Sequence, residues 1–227
     1  MPYSLRTGTD YLEVTILESP LNKEELENLL EKIAAEKKAH LKIKLTRTRP
    51  DDGENEAHLK QIIKATAPQS ISLSFFAVSD SLKPWEALGR IVAESPVRNW
   101  QLSNMNLKGE RLKTVAPHLI GLESLDINSN NLGGSETAEI LVRILENNPE
   151  LHRLNLSNNN LTDGDLKIIG PALARLEEFN LSLNYVTEAT LKKLKQNSRT
   201  ARTANGAGLH PLGATAATQR TEQTSLV

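Results

Sequence analysis

The chain has 227 residues, with 27 Lys and Arg against 28 Asp and Glu, so its formal net charge is −1. This balance argues against a general polyanion binder, which carries a net basic excess. Cysteine is absent, which excludes a disulfide framework, a thiolate metal site and a cysteine nucleophile. No apolar run approaches the ~20 residues that cross a bilayer, and the N-terminus lacks the apolar core of a signal peptide. We therefore expect a cytoplasmic protein of a reducing compartment.

Apolar pairs at strand spacing recur from the beginning of the chain. The chain has 36 Leu residues but only 4% aromatic residues, a composition that favours many small repeated cores. In chain order the pairs are Val14/Ile16, Ile43/Leu45, Ile71/Leu73 and Trp100/Leu102, each followed by a segment with helical spacing.

Three later segments share one pattern. They are Leu122–Leu132, Leu151–Leu161 and Leu176–Val186, and each has the form L-x-x-L-x-L-x-x-N-x-L with aliphatic or Phe variants. Leu at alternate positions places one face of a short strand in the core. The Asn that follows turns the chain and can hydrogen-bond to backbone groups of the turn.

Extending this pattern backwards predicts seven copies of the repeat. Their central apolar positions are residues 14, 43, 71, 100, 125, 154 and 179, at spacings of 25 to 29 residues. The last three copies have Asn at the turn position (Asn130, Asn159 and Asn184). In the first four copies this position is Ser19, Thr48, Phe76 or Met105, and we expect looser turns there.

A helix is predicted after each strand. The first begins with Asn22 and Glu25 at the spacing of a capping box. Trp85 and Trp100 occupy apolar repeat positions, so both are expected in the core. The successive helices are marked by Leu26/Leu29/Leu30/Ile33, Leu59/Ile62/Ile63, Trp85/Leu88/Ile91/Val92, Leu112/Val115/Leu119, Thr137/Ile140/Leu141/Ile144/Leu145, Leu166/Ile169/Leu173 and Leu191/Leu194.

Residues 10–197 resemble the ribonuclease-inhibitor-like subtype of the leucine-rich repeat family, and the match is specific from residue 97 onward. The resemblance implies an α/β solenoid, or horseshoe, with a concave parallel sheet, outer helices and about seven repeats. It divides the chain into an N-terminal lead-in (1–9), a repeat domain (10–197) and a flexible polar C-terminal tail (198–227).

Members of this family are usually binding scaffolds, so the resemblance implies a non-enzymatic protein-binding module. The cysteine-free composition, short array and polar tail also resemble translocated bacterial leucine-rich repeat effectors. Such an effector would enter the host cytosol without a cleavable signal peptide and mask or inhibit a host protein or another effector by 1:1 binding. The alternative is an adaptor whose tail is a secretion or docking signal and whose solenoid recruits a second protein.

The outward-facing residues of the predicted strands are the candidate partner-binding residues. Most are short and polar, so they lose little side-chain entropy on contact. Phe75, Arg153 and Arg47 are the candidate anchors. The full set is Lys42, Lys44, Arg47, Phe75, Asn99, Gln101, Asp126, Asn128, Arg153, Asn155, Glu178 and Asn180.

A basic segment, residues 37–50, contains six Lys and Arg and no acidic residue. It predicts either a patch for an acidic partner surface or a phosphate, or a solvated face balanced by the acids of the first helix. Nucleic acid is not favoured as the partner, because no aromatic residue is interleaved with these cations.

Catalytic and cofactor motifs are not apparent. The five His residues are scattered without metal-ligand spacing, and no Gly-rich phosphate loop follows a predicted strand. We expect no catalytic residue, metal, cofactor, small-molecule substrate, nucleic-acid or membrane partner, and a monomer when free. Residues 198–227 are predicted to be disordered, with a translocation signal or a C-terminal carboxylate motif as alternatives.

Overall fold

The computed structural model describes residues 2–17, 21–36, 38–46, 48–75 and 81–197. These residues form one open sheet whose strands are adjacent in chain order. All neighbouring strands from β2 to β8 pair in parallel. The strands are β1 (Tyr3–Thr7), β2 (Tyr11–Ile16), β3 (His40–Leu45), β4 (Ser70–Phe75), β5 (Asn99–Gln101), β6 (Ser124–Asp126), β7 (Arg153–Asn155) and β8 (Glu178–Asn180).

Helices follow each strand from β2 onward and form a second layer. They are α1 (Lys23–Ala34), α2 (Asn55–Thr66), α3 (Lys83–Glu94), α4 (Glu110–Val115), α5 (Ser135–Glu146), α6 (Asp163–Leu173) and α7 (Glu188–Asn197). Packed helices lie ~8–10 Å apart and paired strands ~4.8 Å apart, so the stack must curve with the sheet on its concave side. The predicted α/β solenoid of seven strand-and-helix repeats is confirmed.

Helix boundaries follow local sequence signals. Asn22 and Glu25 form the predicted capping box at the start of α1, where each side chain accepts the backbone N–H of the other residue. Thr162 and Asp165 form a second one at α6. Pro117 lies in a 3₁₀ turn (Ala116–His118) that ends α4, because proline cannot continue the hydrogen-bonding of a helix.

The core lies between the inner face of the sheet and the helices. Trp85 and Trp100 are both buried, as predicted. Each of the three long strands β2, β3 and β4 contributes three inward side chains, at most 5% exposed. They are Leu12, Val14 and Ile16; Leu41, Ile43 and Leu45; and Ile71, Leu73 and Phe75.

The predicted register is wrong by two residues in the first two repeats. Ile43 pairs with Leu73, whereas Ile71 pairs with Leu41 on one side and Trp100 on the other. A shift of two residues between neighbouring strands keeps every side chain on the same face of the sheet. The alternating pattern of a long strand therefore cannot distinguish two registers that differ by two residues. The central row is therefore Leu12, Leu41, Ile71, Trp100, Leu125, Leu154 and Phe179.

The N-terminal lead-in is part of the sheet. Strand β1 pairs antiparallel with β2 from Tyr3 opposite Ile16 to Thr7 opposite Leu12. Tyr3 is buried against the core. The sheet is thus parallel except at this edge, where β1 covers the backbone groups that β2 would otherwise expose.

The asparagine ladder forms as predicted in the last three repeats. Asn130, Asn159 and Asn184 are all buried. The Asn184 Oδ1 accepts the backbone N–H groups of Asn159 and Leu161 at 2.9 and 3.0 Å, and the Asn159 Oδ1 accepts that of Asn130 at 2.7 Å. Each side-chain amide thus replaces backbone partners that the turn has lost.

The turns of the first four repeats, predicted to be looser, are only partly described. Residues 18–20, 47 and 76–80 lie outside the described residues, as does the tail from 198 onward. For the fourth turn the prediction is wrong. The backbone N–H groups of Met105 and Leu107 donate to the Asn130 Oδ1 at 2.9 and 3.2 Å, so the next repeat holds this turn.

An ion network joins α2 and α3 on the convex side. The Glu56 carboxylate accepts from Arg90 at 2.7 Å and from Lys60 at 2.9 Å, and Lys60 also reaches Glu94 at 2.7 Å. The hydrogen bonds from the Arg90 guanidinium lower the pKa of Glu56 from 4.5 to about 2. This network stabilises the contact between two neighbouring repeats.

Candidate functional site

Outward side chains of the seven parallel strands form two rows that run across the concave face. Strand pairing places equivalent residues side by side, so each row has one residue per strand. The first row is Tyr11, His40, Ser70, Asn99, Ser124, Arg153 and Glu178. The second row is Glu13, Lys42, Ser72, Gln101, Asp126, Asn155 and Asn180.

A groove of about 350 Å³ lies between β2 and β6 on this face. Ser70 and Ser72 of β4 line its middle, Asn99 and Gln101 of β5 lie next to them, and Ser124 lies at its β6 end. Short hydroxyl side chains leave the sheet accessible to a ligand and offer both hydrogen-bond donors and acceptors. We call this surface the concave groove.

Lys42 supplies a positive charge at the β3 end of the concave groove. Its Nζ lies 3.8 Å from the centre of the Tyr11 ring, a cation–π contact. The neighbouring Lys44 is instead paired with Glu13 at 2.9 Å. Among the described residues, no carboxylate oxygen lies within 4.0 Å of the Lys42 Nζ. Lys42 is thus a positioned cation whose charge is available to a ligand.

Asp126 supplies a negative charge at the β6 end. Its Oδ1 accepts the backbone N–H and the Nδ2 of Asn128 at 3.0 and 2.7 Å, and its Oδ2 accepts the Gln101 Nε2 at 3.4 Å. These donors are neutral, and within the described chain no Lys or Arg nitrogen lies within 4.0 Å of this carboxylate. Neutral donors orient the side chain without compensating its charge.

His40 lies at the first-row border of the groove. Its Nδ1 is 2.6 Å from the Ser70 Oγ, and its Nε2 is 3.8 Å from an Asp10 carboxylate oxygen. A serine hydrolase places the nucleophilic hydroxyl at Nε2 and the carboxylate at Nδ1, the reverse of this arrangement. The contact therefore orients the imidazole for hydrogen bonding and does not support acyl transfer.

The described residues contain no group of three His, Asp or Glu side chains arranged to hold a metal ion. None of the helices in the described ranges combines the length and the apolar character needed to span a membrane.

Four predicted site residues meet in the concave groove: Lys42, Asn99, Gln101 and Asp126. Asn128 lies beside it and holds the Asp126 carboxylate. Beyond the groove, the rows continue along β7 and β8. There Arg153 and Glu178 are exposed, while Asn155 and Asn180 accept hydrogen bonds from Ser157 and Ser182 of their own turns.

One predicted anchor is not available as proposed, and another is not described by the structure. The expectation that Phe75 faces outward is wrong: it is 5% exposed, and its ring packs on Trp85 with centroids 4.9 Å apart. Leu73 points into the core, so strand alternation turns Phe75 inward as well. Arg47 lies outside the described residues.

Sequence reasoning missed Tyr11 and His40 at the concave groove. The two-residue register error placed the first outward positions of β2 and β3 at Glu13 and Lys42, so the preceding outward residues were left out. The signal that could have found them is Leu12 and Leu41, which continue the apolar alternation two residues towards the N-terminus.

Comparisons with known proteins give one family match. Residues 150–172, which cover β7 and most of α6, match the family described as Leucine Rich Repeat. No curated protein matches the sequence of this chain.

The solved structures that resemble this chain include two of low sequence identity. One is a structural-genomics target from Bacteroides fragilis, with a TM-score of 0.47 and 13% identity, covering 85% of this chain and 74% of that chain. The other is a mutant O-GlcNAc hydrolase from Thermobaculum terrenum, with a TM-score of 0.30 and 14% identity, covering 74% and 46%. Neither likeness adds to the assignment. The family match at residues 150–172 and the seven parallel strand-and-helix repeats together show a fold of the leucine-rich repeat type.

Proposed function

We propose that this protein is a non-enzymatic scaffold that binds one protein partner in the concave groove, at 1:1 stoichiometry. Leucine-rich repeats are typically protein-binding scaffolds, and the family match supports this class of function. The observation that carries the proposal is the groove itself: short hydroxyl side chains flanked by Lys42 and Asp126, two charges with no ion-pair partner among the described residues. Binding there would mask a surface of the partner.

The shape of the site favours a polypeptide. The groove crosses β2 to β6, four strand spacings or about 19 Å, and is open along its length. Its donors and acceptors are spread over five strands rather than converging on one point, as they do around a small ligand. Tyr11 and Arg153 are the aromatic and Arg residues of the two rows, so few side chains of the types that dominate interface energy are present.

The test is affinity capture from the native cells with the full chain as bait. Ser72 lies in the middle of the groove, and Ser72→Arg fills it from an outward position. Glu139→Arg, on the exposed side of α5, is the matched control. We expect one dominant protein near 1:1 that is retained by the control and lost with Ser72→Arg. A partner that responds only to the convex-face variant would refute the concave site.

Two further proposals concern how the protein reaches or docks at its place of action. A role as a translocated effector, or as an adaptor with a C-terminal signal, is supported by the composition of residues 198–227, which lie outside the described residues. We expect a chain that ends at residue 197 to keep partner capture and to lose delivery or docking. If delivery is intact in the shortened chain, the tail is not the signal.

A further inference from the structure

We propose that the concave groove recognises an extended segment with an acidic and a basic side chain about four residues apart. Lys42 would bind the acidic group and Asp126 the basic group. This inference rests on the proposed function and adds the chemistry of the partner to it.

The spacing follows from the register of the second row. Lys42 pairs with Ser72, Ser72 with Gln101 and Gln101 with Asp126, so the two charges are separated by three strand spacings, about 14 Å. An extended chain advances ~3.3 Å per residue, and side chains two or four residues apart share a face. Residues i and i+4 of a segment lying along this row would therefore both face the sheet.

The segment residue midway between the acidic and the basic side chain must also fit the groove. Position i+2 of the segment would face Ser72 and Gln101, between the two charges. Ser72 is short, and Gln101 is held towards Asp126 by its Nε2. A small or polar side chain at i+2 fits this part of the floor, whereas a bulky one would lift the segment from the sheet.

The charges also define an orientation. Lys42 is fixed over Tyr11, Lys44 is neutralised by Glu13, and Asp126 is oriented by neutral donors. Along the second row of the groove, the positive charge therefore lies at β3 and the negative charge at β6, while Asp10 lies beside His40 at the β2 end. A segment with two acids would meet Asp126, and one with two bases would meet Lys42, so like charges would disfavour both.

The experiment is an NMR titration of the isotope-labelled full chain with capped pentapeptides at millimolar concentration. The probes are Glu-Ser-Ala-Ser-Arg and its reverse, each also with Glu or Arg replaced by Gln, and the shorter Glu-Ser-Arg. We expect at least one charge-bearing pentapeptide to shift amide signals of β3 to β6. Each Gln replacement should weaken its binding roughly two- to five-fold, as for half-exposed ion pairs.

Protein variants assign each charge. In Lys42→Gln, replacing the peptide Glu by Gln should no longer weaken binding, whereas replacing the peptide Arg should still do so. In Asp126→Asn, replacing the peptide Arg by Gln should no longer weaken binding, whereas replacing the peptide Glu should still do so. Lys113→Gln on the exposed side of α4 is the control and should change neither.

Equal binding of the Gln-substituted peptides, equal binding of the shorter peptide, or no shifts from any peptide would overturn the inference. A captured partner that is lost with Ser72→Arg but unaffected by Lys42→Gln and Asp126→Asn would also overturn it. That last result would leave the scaffold proposal intact.

Discussion

The repeats of β2 to β4 and those of β5 to β8 are stacked by different means. In the first group each strand has six residues, and β2, β3 and β4 pair over their full length. In the second group the strands have three residues each, and the buried amides of Asn130, Asn159 and Asn184 hold the turns. Longer backbone pairing in the first group and buried Asn side chains in the second group thus both hold neighbouring repeats together.

The two groups of repeats also differ in how many of their outward polar side chains are available to a ligand. Long strands present more outward positions, and Tyr11, His40 and Lys42 use them to build one end of the concave groove. In the C-terminal repeats, Asn155 and Asn180 instead accept hydrogen bonds from their own turns. The N-terminal strands therefore provide Lys42 and the residues around it, β6 provides Asp126 at the other end of the groove, and the last repeats use more of their polar side chains to hold the fold.

The largest expected loss of stability comes from a substitution that breaks the asparagine ladder. Asn159→Leu leaves the buried Asn130 N–H without its acceptor, and the Ile127 and Ser157 carbonyls each lose one of two donors. Because an unsatisfied buried group costs ~1–3 kcal/mol and each other lost hydrogen bond ~0.5–1.5 kcal/mol, we expect a loss of roughly 2–6 kcal/mol in the free energy of unfolding. Chemical denaturation measures it. Asn147→Leu, at an exposed position, should differ little from the parent; an equal loss in both variants would contradict the ladder.

A core truncation tests whether the two groups of repeats unfold together. Leu154 is 4% exposed in the central row of the sheet, and Leu154→Ala should cost roughly 2–5 kcal/mol. In a solenoid with nearest-neighbour contacts, the C-terminal repeats should then open first. Hydrogen exchange should show earlier loss of protection in β6 to β8 than in β2 to β4. Uniform loss across the sheet would show that the halves are coupled.

A smaller effect is expected at Arg175, another support of the C-terminal repeats. Its guanidinium donates to the carbonyls of Leu145, Asn148, Pro149 and Leu151 at the end of α5 and in the loop after it. Arg175→Ala should lower the free energy of unfolding by about 1–2 kcal/mol, because charged hydrogen bonds to carbonyls are lost at a partly exposed position. The measurement is thermal melting of Arg175→Ala beside Arg143→Ala on α5, and we expect little change in stability for the latter variant.

The smallest effect lies in the N-terminal group and depends on pH. The pKa of Glu56 is lowered from 4.5 to about 2 in the folded protein, chiefly by Arg90. Its contribution is therefore present above pH 4.5 and lost as the pH falls towards 2. We expect about 1 kcal/mol, discounted for solvent screening. Glu56→Gln should lose less stability than the parent between pH 4.5 and 2, and Glu139→Gln should follow the parent.

Much of the fold could be predicted from local pattern. The helices follow from apolar residues at helical spacing, and the capping box at Asn22 follows from two residues three apart. The buried roles of Asn130, Asn159 and Asn184 follow from their constant position after the strand. Asn148 was missed: it accepts from the Leu122 N–H and donates to the Leu119 and Ile144 carbonyls, and two of these partners lie 26 and 29 residues away.

The candidate site was less predictable, because it depends on how strands are offset. The outward character of Lys42, Gln101 and Asp126 was predicted correctly from alternation. Phe75 was wrongly predicted to face outward, because alternation continues to the end of β4, whereas Tyr11 and His40 were missed because of the register error. Whether a charge on the face is neutralised, as Lys44 is by Glu13, depends on a diagonal contact between strands.

The sequence by itself determined the repeat, the inner and outer faces of its strands and the positions of its helices, because these depend on periods of two and 3.6 residues within one segment. Only the tertiary structure decided the register of β2 and β3 against β4, the antiparallel strand β1 and the meeting of Lys42 and Asp126 in one groove. The register and the groove depend on contacts between segments 25 or more residues apart, and a side-chain period of two is unchanged by a slip of two residues. Strand β1 depends on pairing with the neighbouring strand β2, which periodicity within one segment does not specify.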